Sequence, residues 1–194
     1  MQNIELTIKE DNQGVFAISL VDKPAIEEDF IFLSEIKVDL KVTNDEKREV
    51  VGIALIPNKK IYRKIYNNEK KEDVEFTITF SEQTIEKVQE LYLKKNFNNN
   101  VTIDHESKVE GVTLIESWIV EDEKHDKSNI YKLDAIKGSW VVKMKVYNEE
   151  VWQSIKDGKF KGFSIEGKFD GLEQLNAESQ EDIVNEIKKL LNNI

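Results

Sequence analysis

The chain has 194 residues, 39% of them hydrophobic and 34% charged, which excludes both a disordered chain and a membrane-embedded one. With no cysteine and two histidines, His105 and His125, it can hold no disulfide, thiolate metal site, iron–sulfur cluster, cysteine nucleophile or histidine-rich metal site. The formal net charge of −10 repels phosphate backbones, so no nucleic-acid partner is expected.

The opening residues, Met1-Gln2-Asn3-Ile4-Glu5-Leu6, show no basic segment followed by an apolar one. No apolar run approaches the ~18 residues of a membrane span. The expectation is a soluble protein of a reducing compartment with no membrane partner.

The first half of the chain is strand-rich. Val15-Phe16-Ala17-Ile18-Ser19-Leu20-Val21 is a short apolar run after Gly14, and Pro24 breaks it. Residues 36–42 alternate apolar and polar, the period of a half-buried strand. After a polar turn, residues 50–56 return as a second apolar strand and stop at Pro57, which suggests an antiparallel pair. Residues 74–80 alternate again. Ser81 then caps a helix in which Ile85, Val88, Leu91 and Tyr92 share one face, with Lys94 and Lys95 in its last turn.

The second half continues with a short strand at 101–104 leading into His105, and another at 112–120. Residues 121–129 are densely charged and read as a mobile loop. In 139–146 Trp140, Val142, Met144 and Val146 alternate with Lys143 and Lys145. Asn148 caps a helix with Val151, Trp152 and Ile155 buried, and Gly158 closes it. Trp118, Trp140 and Trp152 are expected in the core. Residues 160–169 form a further strand. A polar connector follows, then a helix capped by Ser179 in which Ile183, Ile187, Leu190, Leu191 and Ile194 form a stripe. The class is α+β, built round a mostly antiparallel sheet or barrel flanked by helices.

Two segments carry candidate chemistry. In Gly162-Phe163-Ser164-Ile165-Glu166-Gly167, strand periodicity puts Phe163 and Ile165 on one face and Ser164 with Glu166 on the other. The bracketing glycines mark a bulge or a close backbone approach, a substrate strand being one candidate. The spacing is not that of a nucleophile elbow, since no helix follows Ser164. In Thr102-Ile103-Asp104-His105-Glu106, His105 ends a strand between two acids, which can raise its basicity and fix its tautomer. His125 sits in a solvated acidic context. The acids at 121–126 lack the spacing of a calcium loop, so neither metal nor cofactor is expected.

Several segments together carry a resemblance. They are Ile18-Ser19-Leu20-Val21-Asp22-Lys23-Pro24-Ala25-Ile26-Glu27, Ala54-Leu55-Ile56-Pro57 with Ile61-Tyr62-Arg63, Thr102-Ile103-Asp104-His105, Glu116-Ser117-Trp118-Ile119-Val120, Asp126-Lys127-Ser128, Gly138-Ser139-Trp140, and the stretch from Trp152 through Gly167. In this order the set resembles the XkdF-like tailed-phage prohead serine proteases over about residues 14–169. The resemblance implies a capsid-maturation endopeptidase that cleaves scaffold and capsid-protein segments inside the procapsid before DNA is packaged. Its relatives include the herpesvirus assemblins, β-barrels surrounded by helices and usually dimers.

The family's histidine maps onto His105 and its nucleophilic serine onto Ser164. The third member lies downstream of the serine in relatives, as an acid or a second histidine, and no histidine follows Ser164 here. Glu166 is selected because it shares the face of Ser164, with Asp104, Glu116 and Asp170 open. The partners implied are phage scaffold and major capsid protein, with a homodimer or higher oligomer working in the procapsid interior within the host cytoplasm. Residues 1–170 would be the protease-like domain, and 171–194 a connector and amphipathic helix. The competing class is an inactive, scaffold-like internal virion protein that keeps the protease fold. A small-molecule hydrolase is a third reading, disfavoured because no lid or nucleophile elbow is visible.

Overall fold

The computed structural model describes residues 1–22, 41–44, 47–67 and 71–171. In chain order they form β1 (Gln2–Glu5), β2 (Gly14–Val21), β3 (Lys41–Asn44), β4 (Glu49–Leu55), β5 (Ile61–Asn67), β6 (Glu72–Thr79), α1 (Glu82–Lys94), β7 (Val101–Ile103), β8 (Ser107–Val109), β9 (Val112–Ile119), β10 (Trp140–Val146), α2 (Glu149–Lys156) and β11 (Gly162–Lys168). The class is α+β. β3 pairs antiparallel with β4, Lys41 opposite Val51, as expected for the alternating run at 36–42, of which 41 and 42 are described, and the apolar run at 50–56. Residues 36–40 and the expected helix at 179–194 lie outside the described residues.

The barrel alternative is corrected. Among the described residues the strands form three open sheets, ordered β1-β6-β5, β3-β4-β10-β9 and β11-β2-β7-β8. A barrel needs every strand bonded along both edges. Here β1 joins β6 and β2 joins β7 in parallel. The edge strands β1 and β5, β3 and β9, and β11 and β8 pair on one side only, so no sheet closes among the described residues.

Both helices follow from local chemistry. Ser81 accepts a hydrogen bond from the Thr84 N–H and opens α1, while Asn148 Oδ1 accepts from the Val151 N–H at 3.1 Å and opens α2. Ile85, Val88 and Tyr92 of α1 and Val151, Trp152 and Ile155 of α2 enter one core with Ile4, Ile18, Phe76, Leu114, Trp140 and Phe163. All three sheets therefore share a single apolar interior.

The charged segment at 121–129 is a built structure. Asp126 Oδ1 accepts from the Ser128 N–H at 2.7 Å and from Trp118 Nε1 at 3.1 Å, starting a 3-10 turn at Lys127–Tyr131. Leu133 and Ala135 then cover the second face of the β4–β10 pair, against Val51, Ile53 and Val141. That is why Val141 and Val142 are both buried although their side chains point to opposite faces. Trp118, expected in the core, is half-buried with Lys127 Nζ 3.8 Å from its ring centroid.

Beside this face, Lys143 lies 2.7 Å from Glu49 and 3.3 Å from Glu116, which also pairs with Lys127. The Lys127 contact holds the Glu116 carboxyl below its ordinary range, with Lys143 helping against partial burial. The Glu49 contact raises Lys143 above its ordinary value. A depressed carboxyl stabilises above its unfolded pKa, ~4.3, and that stability is lost as pH falls through the folded value. The raised lysine stabilises fully below ~10.4 and is lost as pH rises through its folded value. Glu116→Gln should therefore lower the urea midpoint at pH 7, and the deficit should shrink towards pH 3. A deficit equal at both pH values would contradict the ion-pair account.

Candidate active site

The polar face expected on β11 exists, and the neighbouring strands extend it. Ser164 lies opposite Ser19 of β2, and Ser19 opposite Thr102 of β7, so three hydroxyl residues form one row across three strands. The alternate positions, Phe163, Ile18, Leu20 and Val101, fill the core below. This face is covered instead of solvated: Ser19 is 0% and Ser164 5% exposed. Among the described residues Ser164 Oγ has no hydrogen-bond partner.

The chain leaving β7 reverses at once. Asp104 and His105 have φ of 48° and 60°, and the Glu106 N–H closes the turn on the Ile103 carbonyl at 3.0 Å. Two consecutive left-handed residues are what a type I′ hairpin turn requires, a position where glycine or asparagine is usual. For non-glycine residues such backbone costs about 1–3 kcal/mol each and is retained where the surroundings enforce it. Here the Asp104 N–H donates to the Leu20 carbonyl and the His105 N–H to Ser19 Oγ, each at 3.0 Å. The turn is thereby folded back over the hydroxyl row.

This brings the His105 ring to Glu166: Nδ1 stands 3.3 Å from Oε1, with side-chain exposures of 41% and 20%. Thr102 Oγ1 donates a hydrogen bond to the same carboxylate oxygen. Of the four acids left open by the sequence, Glu166 is the one at the imidazole. Glu116 is on β9 in another sheet, held by Lys127 and Lys143. Asp170 pairs with Lys9 and bridges to Thr7. Asp104 adjoins His105 in sequence and is exposed. His125 is 81% exposed beside Asp122 and stands apart from this cluster.

A carboxylate at Nδ1 favours the tautomer with its proton there, leaving the Nε2 lone pair for an acid–base partner. Ser164 precedes Glu166 by two residues on the same face, about 6.6 Å along the strand. Sequence reasoning missed Thr102 and Ser19 as members of the cluster. The available signal was a hydroxyl residue placed inside each of two otherwise apolar strands. One glycine inference is also corrected. A Cβ on Gly167 would lie 2.6 Å from the Phe169 ring and 2.8 Å from the Gly14 carbonyl, so the close approach there is made by the chain itself. The β11–β2 register shifts at the same point, between Glu166 and Gly167.

Residues 35–173 match the model of the family described as "Putative phage serine protease XkdF". The chain belongs to this family. His105, Ser164, Glu166 and Thr102 all fall inside the matched span, and Ser19 precedes it. No curated protein and no solved structure matches the chain. Among the described residues no group of three or more His, Asp or Glu side chains could hold a metal ion.

Proposed function

We propose that the chain is a serine endopeptidase of phage prohead maturation, with Ser164 as nucleophile, His105 as acid–base and Glu166 as the orienting carboxylate. The observation that carries this reading is the contact of His105 Nδ1 with Glu166, two residues beyond Ser164 on one strand face, in a chain of a phage serine protease family. Ser164 Oγ attacks the scissile carbonyl while His105 Nε2 takes its proton. The tetrahedral intermediate expels the amine, which receives that proton, and leaves an ester on Ser164. Water, deprotonated by His105, then attacks the ester and releases the carboxylic product together with free Ser164. Glu166 holds the imidazole orientation and stabilises the imidazolium formed in each half-reaction.

The substrates proposed are scaffold and major capsid protein segments, met inside the procapsid by a homodimer or higher oligomer of this chain. The support is the family membership and the sequence resemblance described above. A fluorophosphonate probe tests the site without a known substrate. Ser164 Oγ displaces fluoride from phosphorus, and the mass gained maps to one peptide. We expect the label on Ser164 in the wild type, with a rate about 10²- to 10⁴-fold lower in His105→Ala, the usual range for loss of a general base. A wild type that is unlabelled would overturn this reading in favour of an inactive internal structural protein, and a label on another serine would overturn Ser164 as the nucleophile.

A further inference from the structure

We infer that Thr102 and Ser19 are positioning residues of this site, Thr102 fixing the Glu166 carboxylate and Ser19 fixing the main chain of His105. The inference rests on the catalytic reading above. Three observations carry it. First, Thr102 Oγ1 donates to Glu166 Oε1, the same oxygen that faces His105 Nδ1. A carboxylate on a strand has free side-chain torsions, and one donor reaching across β2 from β7 restricts that freedom.

Second, Ser19 is fully buried between Ile18 and Leu20, where alanine would pack as well. Its hydroxyl accepts the His105 N–H at 3.0 Å. That amide belongs to the second of two left-handed residues, so the bond anchors a backbone conformation that a histidine does not prefer. Third, Ser164, Ser19 and Thr102 share one register row, so the same ladder that aligns the strands aligns nucleophile and supports. The parallel β2–β7 pairing sets where the turn begins, and the Ser19 bond sets where the imidazole starts from.

The roles differ from simple stability in what they predict. Thr102→Val keeps size and strand preference but removes the donor. Its fluorophosphonate labelling rate should fall about 10- to 100-fold, as for a catalytic group misplaced by about 1 Å. Thr102→Ser restores the donor and should recover most of the rate. Ser19→Ala should lose rate on the same scale, with the melting temperature falling by no more than the loss of one hydrogen bond entails. Should Ser19→Ala not fold, Ser19→Cys, of similar size and a poor acceptor, replaces it.

A spectroscopic readout separates position from packing. The imidazole ¹⁵N shifts of His105 should report a proton on Nδ1 in the wild type and a mixture of tautomers in Thr102→Val. His105→Ala serves as the parallel control. Slow labelling in His105→Ala with wild-type rates and tautomer in Thr102→Val and Ser19→Ala would overturn the positioning roles alone. Wild-type labelling in His105→Ala would overturn the catalytic reading on which they rest.

Discussion

Ser164→Ala is expected to abolish processing of scaffold and capsid protein in co-expression while leaving the chain folded. Loss of the nucleophile of a serine–histidine site commonly costs about 10⁴- to 10⁶-fold, because the group acts as one unit with its base. Stability should move little. Ser164 is 5% exposed, and its hydroxyl is not among the buried side-chain atoms left without a partner. We expect a change within about 0.5 kcal/mol in either direction, about 1–2 °C in melting temperature for a chain of this size. Inactive yet equally stable is the signature of a residue kept for chemistry. Undiminished gel processing by the alanine variant would remove Ser164 as nucleophile. A loss of activity accompanied by a large drop in melting temperature would give Ser164 a structural role instead.

Trp140→Ala is the substitution expected to damage the fold most. Trp140 is fully buried at the centre of the shared core, with its ring 5.5 Å from Tyr92 in an edge-to-face contact. Its Nε1 donates to Ser117 Oγ at 2.8 Å, tying β10 to β9. Truncating a buried Trp to alanine costs about 3–5 kcal/mol. That is a large share of the 5–15 kcal/mol typical of a whole domain, and corresponds to a melting temperature lower by roughly 10–15 °C. Trp140→Phe keeps an aromatic ring against Tyr92 and should lose less than half as much. Ser117 Oγ keeps Gln89 Nε2 at 3.1 Å in that variant, so no buried group is orphaned. Calorimetry on the two variants tests the ordering. Equal losses would show that the hydrogen bond, not the volume, dominates at this position.

The local parts of the fold were legible in the chain because short-range chemistry decides them. Ser81 and Asn148 cap the two described helices at the expected positions. Their buried stripes match the 3.6-residue period, and the alternating runs at 74–80 and 139–146 form strands. The pairing of Ser164 with Glu166 on one strand face was legible for the same reason, since a period of two needs no partner strand. His105 stood out by its acidic flanks. The mapping of both onto catalytic positions came from a resemblance over many segments.

What the sequence determined alone is therefore the α+β class, the helix ends, the absence of thiol chemistry, and which residue types are available for acid–base work. Tertiary structure decided the rest, because each remaining question depends on contacts between residues far apart in the chain. The barrel gave way to three open sheets because the edge strands of each pair on one side only among the described residues. Val141 became buried opposite Val142 only when residues 120–138 folded over the outer face of β10. Glu166 came to the His105 ring, while Glu116 and Asp170 went to lysines, through strand register and a left-handed turn. Residues 102 and 166 are 64 positions apart, and no periodicity within either strand specifies that they meet. Their meeting is set by the order β11-β2-β7, a property of the assembled sheet.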